Sequence, residues 1–124
     1  MKVVIKTIGT NTGTAEAPIW QDKGSRQLWF VCKACKSPHS VNVALADGEQ
    51  RPLWGWDGNL ENPSITPSVR CWTNGPRGTP EGDNRTCHFN LEAGVQVFHG
   101  DTWPESFRGQ RYQLEDLPDW LANE

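Results

Sequence analysis

A chain of 124 residues with 35% hydrophobic content has room for one small core, and a polar chain of this size commonly needs a staple such as a metal. Twelve Lys and Arg against fifteen Asp and Glu leave a formal charge of −3 with no run of like charge, which argues against a nucleic-acid duplex as main partner. The first seven residues are too short an apolar stretch for a signal peptide and no segment reaches membrane-spanning length, so the expectation is a cytoplasmic protein with reduced thiols.

Nine Pro and twelve Gly cut the chain into short runs, each read as a strand bounded by turn residues. Val3 to Thr7 predicts the first strand. Residues 8 to 24 are polar and Gly-rich, anchored by Ile19 and Trp20 alone, and read as irregular chain. Gln27 to Cys32 and Ser40 to Leu45 predict two more strands, and Ile65 to Trp72 a fourth. Asn74 to Asn84 is almost pure loop chemistry and is expected to be the most mobile internal segment. Apolar residues alternate in Cys87, Phe89 and Leu91 and again in Val95 and Val97, with Glu92-Ala93-Gly94 between them, which predicts a hairpin. Pro118 stands at the first position of one helical turn near the C-terminus. The expected fold is mainly β: a small antiparallel β-sheet domain over residues 1 to 124, with a zinc knuckle, long irregular loops and little helix.

Cys32-Lys-Ala-Cys35 is the sharpest local signal, because two cysteines at this spacing at a strand end converge on one cation. His39 follows after the bend at Ser37-Pro38, which also breaks the helix that a redox motif of this spacing would want. Cys87 and His88 are adjacent, so in a strand they point to opposite faces and only one of them serves the same ion. The expected zinc ligands are Cys32, Cys35, His39 and Cys87, with Cys71 and His88 as substitutes. Cys71, alone on its strand, reads more readily as a small buried hydrophobe than as a ligand.

A second pattern occupies the middle of the chain: Trp54-Gly-Trp56, then Pro63-Ser-Ile-Thr-Pro67-Ser68. Combined with the knuckle before it, with Cys87-His88-Phe89, and with Gly109-Gln110 after it, the order of elements resembles a family of small phage and prophage proteins of unknown function, often mislabelled "ammonia monooxygenase". The resemblance covers roughly residues 27 to 120. It implies a zinc-binding fold, a phage origin and hence a host cytoplasm, but no established activity. The chain departs from that pattern where relatives carry a His shortly after the acidic residue, since Trp103 follows Asp101-Thr102 here. His99 is the substitute within reach.

Three functional readings compete. Trp54 and Trp56 share a face if extended and could anchor a partner protein, since Trp dominates interface hot spots. On that ground the favoured reading is a non-catalytic accessory module with a structural zinc, binding a protein partner and modulating a host enzyme or defence system, with no catalytic residues assigned. A purely structural phage component is the second. The third is a metal-dependent hydrolase using His39, His88, His99 and Asp101.

Overall fold

Turn chemistry, rather than long apolar runs, decides where this chain reverses. The computed structural model describes residues 1–73, 85–102 and 105–122, and of residues 72, 73, 85 and 86 the backbone alone. The expected mobile loop at 74–84 and Trp103 lie outside the described residues. Strands β1 (Val4–Asn11), β2 (Trp20–Cys32) and β3 (Ser37–Ala44) form one antiparallel sheet in that order. Strands β4 (Gly55–Trp56), β5 (Ile65–Thr73), β6 (Arg85–Glu92), β7 (Val95–Phe98) and β8 (Arg111–Gln113) form a second, also in chain order. A single 3-10 turn at Glu105–Phe107 and the short helix α1 (Asp119–Ala122) complete the described elements. The mainly β expectation holds, as does the C-terminal helical turn, where Pro118 O accepts the N–H groups of Leu121 and Ala122.

The expected irregular stretch at 8–24 is a correction. β1 runs on to Asn11 and β2 starts at Trp20, so the first hairpin is much longer than its apolar residues indicate. Residues 11 to 24 are exposed throughout, so no apolar alternation marks these strand ends. Polar side chains close the loop instead: Asn11 Oδ1 accepts Gly13 N at 2.9 Å and Ile19 N at 3.1 Å.

The two sheets share a core. Leu28, Phe30 and Cys32 alternate along β2 and are fully buried, as are Cys87, Phe89 and Leu91 along β6. They belong to one cluster, and Phe30 meets Phe89 edge-to-face at 5.8 Å between ring centres. Burying each such side chain contributes about 1.5–3 kcal/mol. On the outer face of the first sheet, Val4 packs with Leu117 and Leu121 from the C-terminal segment, with Trp29 and Val31 beside them. Trp20 and Trp120 remain 67% and 65% exposed, as expected of a chain with more indoles than its core can hold.

Two local features position the functional residues. The β6–β7 hairpin turns through Ala93 and Gly94, both at positive φ (49° and 79°), the geometry that matches strand twist in a two-residue turn. This turn is tied to the approach to β5 by Ala93 N to Ser64 Oγ at 2.8 Å and Gly94 N to Pro63 O at 2.8 Å. Within β5 the register to β6 shifts between Ile65 and Val69, a bulge that contains the cis peptide Thr66–Pro67 and ends at Ser68. Bulges of this kind re-aim a side chain, and the one re-aimed here is a serine.

Candidate active site and metal centre

Ser68 leaves the bulge toward β6. Its Oγ lies 3.0 Å from Nε2 of His88, whose Nδ1 lies 2.9 Å from Asp101 Oδ1. A carboxylate on one ring nitrogen and a hydroxyl on the other leave one tautomer that satisfies both: Nδ1–H donates to Asp101 and Nε2 accepts from Ser68. The His88 side chain is 17% exposed and Asp101 49%, so the hydroxyl end is sheltered and the carboxylate end reaches the surface. The His88 hydrogen bond, with Arg70 Nη2 at 2.7 Å adding its charge, holds the Asp101 carboxyl below the usual carboxylate range.

The backbone of His88 is fixed by Thr102, a buried residue. Thr102 Oγ1 accepts His88 N at 3.2 Å and donates to His88 O at 2.6 Å. Beneath the ring, His99 stacks flat on His88, with centroids 3.9 Å apart and planes 15° from parallel. His99 Nε2 is in turn hydrogen-bonded to Asn90 Oδ1. Trp54 donates its indole N–H to Ser68 O at 3.3 Å, and the Trp56 indole binds Asn59 O at 3.3 Å. Trp54 therefore touches the serine's own backbone.

The thiols gather on the opposite face of β5 and β6. Cys32, Cys35 and His39 lie close enough to hold a metal ion, their ligand atoms all within 4.8 Å of one another. Cys87 joins from β6, its Sγ 3.2 Å from Cys32 Sγ. Cys71 stands directly across from Cys87 in the register and lies beside His39. Hydrogen bonds from Cys35 and then Cys87 pull the Cys32 pKa down, while the Cys32 thiolate pushes those of Cys35 and Cys87 up. Burial alone would lower His39, yet its hydrogen bonds with Cys32, Cys35 and Cys71 prevail and push it up to about 12. The Nε2 of His39 is buried and has no hydrogen-bond partner among the described residues. A cluster of thiols around a half-buried imidazole whose buried Nε2 is unused fits a metal better than it fits a core.

The residues of the hydrolase reading thus separate. His39 sits with the thiols, whereas His88, His99 and Asp101 assemble at Ser68 on the other side of the strand. Sequence reasoning missed Ser68 as a functional residue.

A family model described as "Bacterial ubiquitination-like system serine protease (BubE)" matches residues 6–99, more than half of the chain. The chain belongs to this family. No curated protein and no solved structure shows a significant match. Membership of the BubE family overturns the expected non-catalytic binding module, because the family description names a protease. The hydrolase alternative agrees with it better. The resemblance to phage proteins holds in its coarser form, a small family of bacterial type, and the ubiquitination-like system implies protein partners. Among the described residues no helix is long and apolar enough to cross a membrane.

Proposed function

We propose that the chain is a serine protease in which Ser68 is the nucleophile, His88 the general base and Asp101 the residue that orients His88. The observation that carries this is the unbroken Ser68–His88–Asp101 hydrogen-bonded relay, at 3.0 Å and 2.9 Å. Catalytic triads are recognised by such geometry, not by chain order, and here the order is Ser, His, Asp. Ser68 Oγ attacks the scissile carbonyl carbon as its proton passes to His88 Nε2. The imidazolium, stabilised through Nδ1–H by Asp101, then gives that proton to the departing amine. Water, deprotonated by the same nitrogen, hydrolyses the acyl-enzyme and frees Ser68.

The substrate on this reading is a protein, as the family's ubiquitination-like context suggests, with Trp54, which touches the serine's carbonyl, and Trp56 as its contact residues. We assign zinc to Cys32, Cys35, His39 and Cys87, with Cys71 the substitute ligand. His88 is no longer a candidate, since both its ring nitrogens are engaged. The metal's role there would be structural, since the residues that would hold it stand across the strand from the serine. Four free thiols accord with one domain working in a reducing cytoplasm.

A fluorophosphonate, which phosphonylates only an activated serine with loss of fluoride, tests the triad directly. Intact-mass measurement should show one adduct on the wild type and none on Ser68→Ala or His88→Ala. Equal labelling of Ser68→Ala, or none of the wild type, would sink the assignment.

A further inference from the structure

The proposed nucleophile stands at the start of a strand edge that no other described strand covers, and the register shows which backbone groups that edge presents. β4 pairs with β5 at Ile65 and Thr66 only. Beyond Thr66, no strand among the described residues pairs with β5 on this side, while β6 covers its other side as far as Thr73. The backbone of His88 points away from β5: its C=O accepts His99 N at 2.8 Å and its N–H meets Thr102. His88 and Arg70 are register partners and so form a non-hydrogen-bonded pair. Arg70 therefore turns its own N–H and C=O outward, away from β6, and by alternation so do Ser68 and Trp72. Ser68 confirms the direction, since its C=O accepts the Trp54 indole from that side.

The geometry points to β5 as a docking edge for an extended polypeptide substrate, which adds as a strand alongside Arg70 and Trp72 and so brings a backbone carbonyl to Ser68. This rests on the triad reading and names how that site takes its substrate. An added strand lies about 4.8 Å from its neighbour, which places the scissile bond beside a residue of β5 itself rather than across β4. Main-chain hydrogen bonds supply affinity in strand addition, and side-chain contacts on alternate residues supply selectivity. Ser68 and Arg70 share the catalytic face of β5, so every second substrate side chain would project over His88 and Arg70. The intervening ones would face the other way.

The test begins with fluorophosphonate labelling of the wild type and with a library of unstructured peptides made by digesting a bacterial lysate. Labelling without cleavage of any library peptide would overturn the docking edge and leave the triad standing. Failure to label would remove both. From the best-cleaved peptide, single N-methyl amides are then introduced two or more residues from the scissile bond. The expected result has period two: methylation at alternate residues lowers kcat/KM about tenfold or more, and methylation between them is tolerated. Uniform tolerance, or loss without that alternation, would refute strand addition. On the protein side, Trp72→Pro deletes one outward N–H and spares the β6 ladder. It should label like Trp72→Ala yet cleave the peptide about tenfold more slowly. Equal cleavage by the two variants would also refute it.

Discussion

Cys87 and His88 are neighbours in β6 and serve opposite faces of it: Cys87 Sγ meets Cys32 Sγ at 3.2 Å, and His88 Nε2 meets Ser68 Oγ at 3.0 Å. One strand thus carries a proposed metal ligand and the proposed catalytic base back to back. The thiol cluster fastens β6 to the knuckle after β2, and so fixes the strand from which His88 projects. The proposed structural and catalytic roles are separated by a single peptide unit.

Metal removal should therefore cost activity through the fold. Elemental analysis of the wild type is expected to find a single zinc ion per chain, lost in Cys32→Ser and Cys87→Ser. Structural zinc contributes about 10 kcal/mol or more to small metal-dependent folds, so these variants should be largely unfolded by circular dichroism and unreactive to fluorophosphonate. A folded His39→Ala variant that keeps its zinc would move the fourth ligand to Cys71. A metal-free wild type with normal melting would remove the cluster's structural role.

Triad substitutions should separate activity from stability. Ser68→Ala is expected to change stability by no more than about 0.5 kcal/mol and to abolish labelling. Asp101→Asn should slow peptide hydrolysis about a thousandfold or more, because the amide no longer holds His88 in the required tautomer. Arg70→Gln removes only an exposed, solvent-screened ion pair with Asp101 and should leave the fold nearly unchanged. Denaturant melts read beside turnover would show whether the two effects part in this way.

The carboxyl of Asp101 offers a pH test with a definite sign. Its folded-state pKa lies below the unfolded value, so its contribution to stability is present above the ordinary carboxylate range and fades as pH falls through the folded value. His88 is the larger cause and Arg70 the smaller. Carboxyl-carbon NMR titration should then find a greater upward move of Asp101 in His88→Ala than in Arg70→Gln. The reverse order would mean that the guanidinium, not the imidazole, governs this carboxylate.

Gly94→Ala should be more damaging than an exposed turn substitution usually is. The position has φ 79°, and an added Cβ would lie 3.1 Å from Asn62 Cα in the chain leading to Ser64 and the bulge. Left-handed backbone costs a residue with a Cβ about 1–2 kcal/mol before that contact is counted. Melting should register this loss, whereas Ala93→Gly, relieving φ 49°, should be neutral or stabilising by up to about 1 kcal/mol.

What could be read from the sequence followed its local chemistry. The Cys32–Cys35 spacing and the β6–β7 hairpin depend on neighbours in the chain, and both were legible. The long first hairpin was not, because its outer residues are mostly polar and its closure relies on the short polar side chains of Asn11, Thr12 and Thr14. Ser68 was hidden for another reason: a serine after proline has no distinctive spacing, and its partners arrive through strand register and a bulge. A signal did exist. Once Cys87 is assigned to one face of its strand, His88 must take the other, and the strand expected at Ile65 to Trp72 supplies a serine there.

Gln96 carries a consequence for the order of assembly. It is fully buried on β7, with Oε1 accepting Lys33 N at 2.9 Å and Nε2 donating to Cys32 Sγ at 3.3 Å. The knuckle's Lys33 amide and its Cys32 thiol are thus completed by a strand more than sixty residues away. A peptide cut to the knuckle alone would hold its ion without this support, exposed to competing chelators and oxidants. Tight capture of the proposed ion and docking of β7 would then be one coupled step of assembly, neither complete without the other.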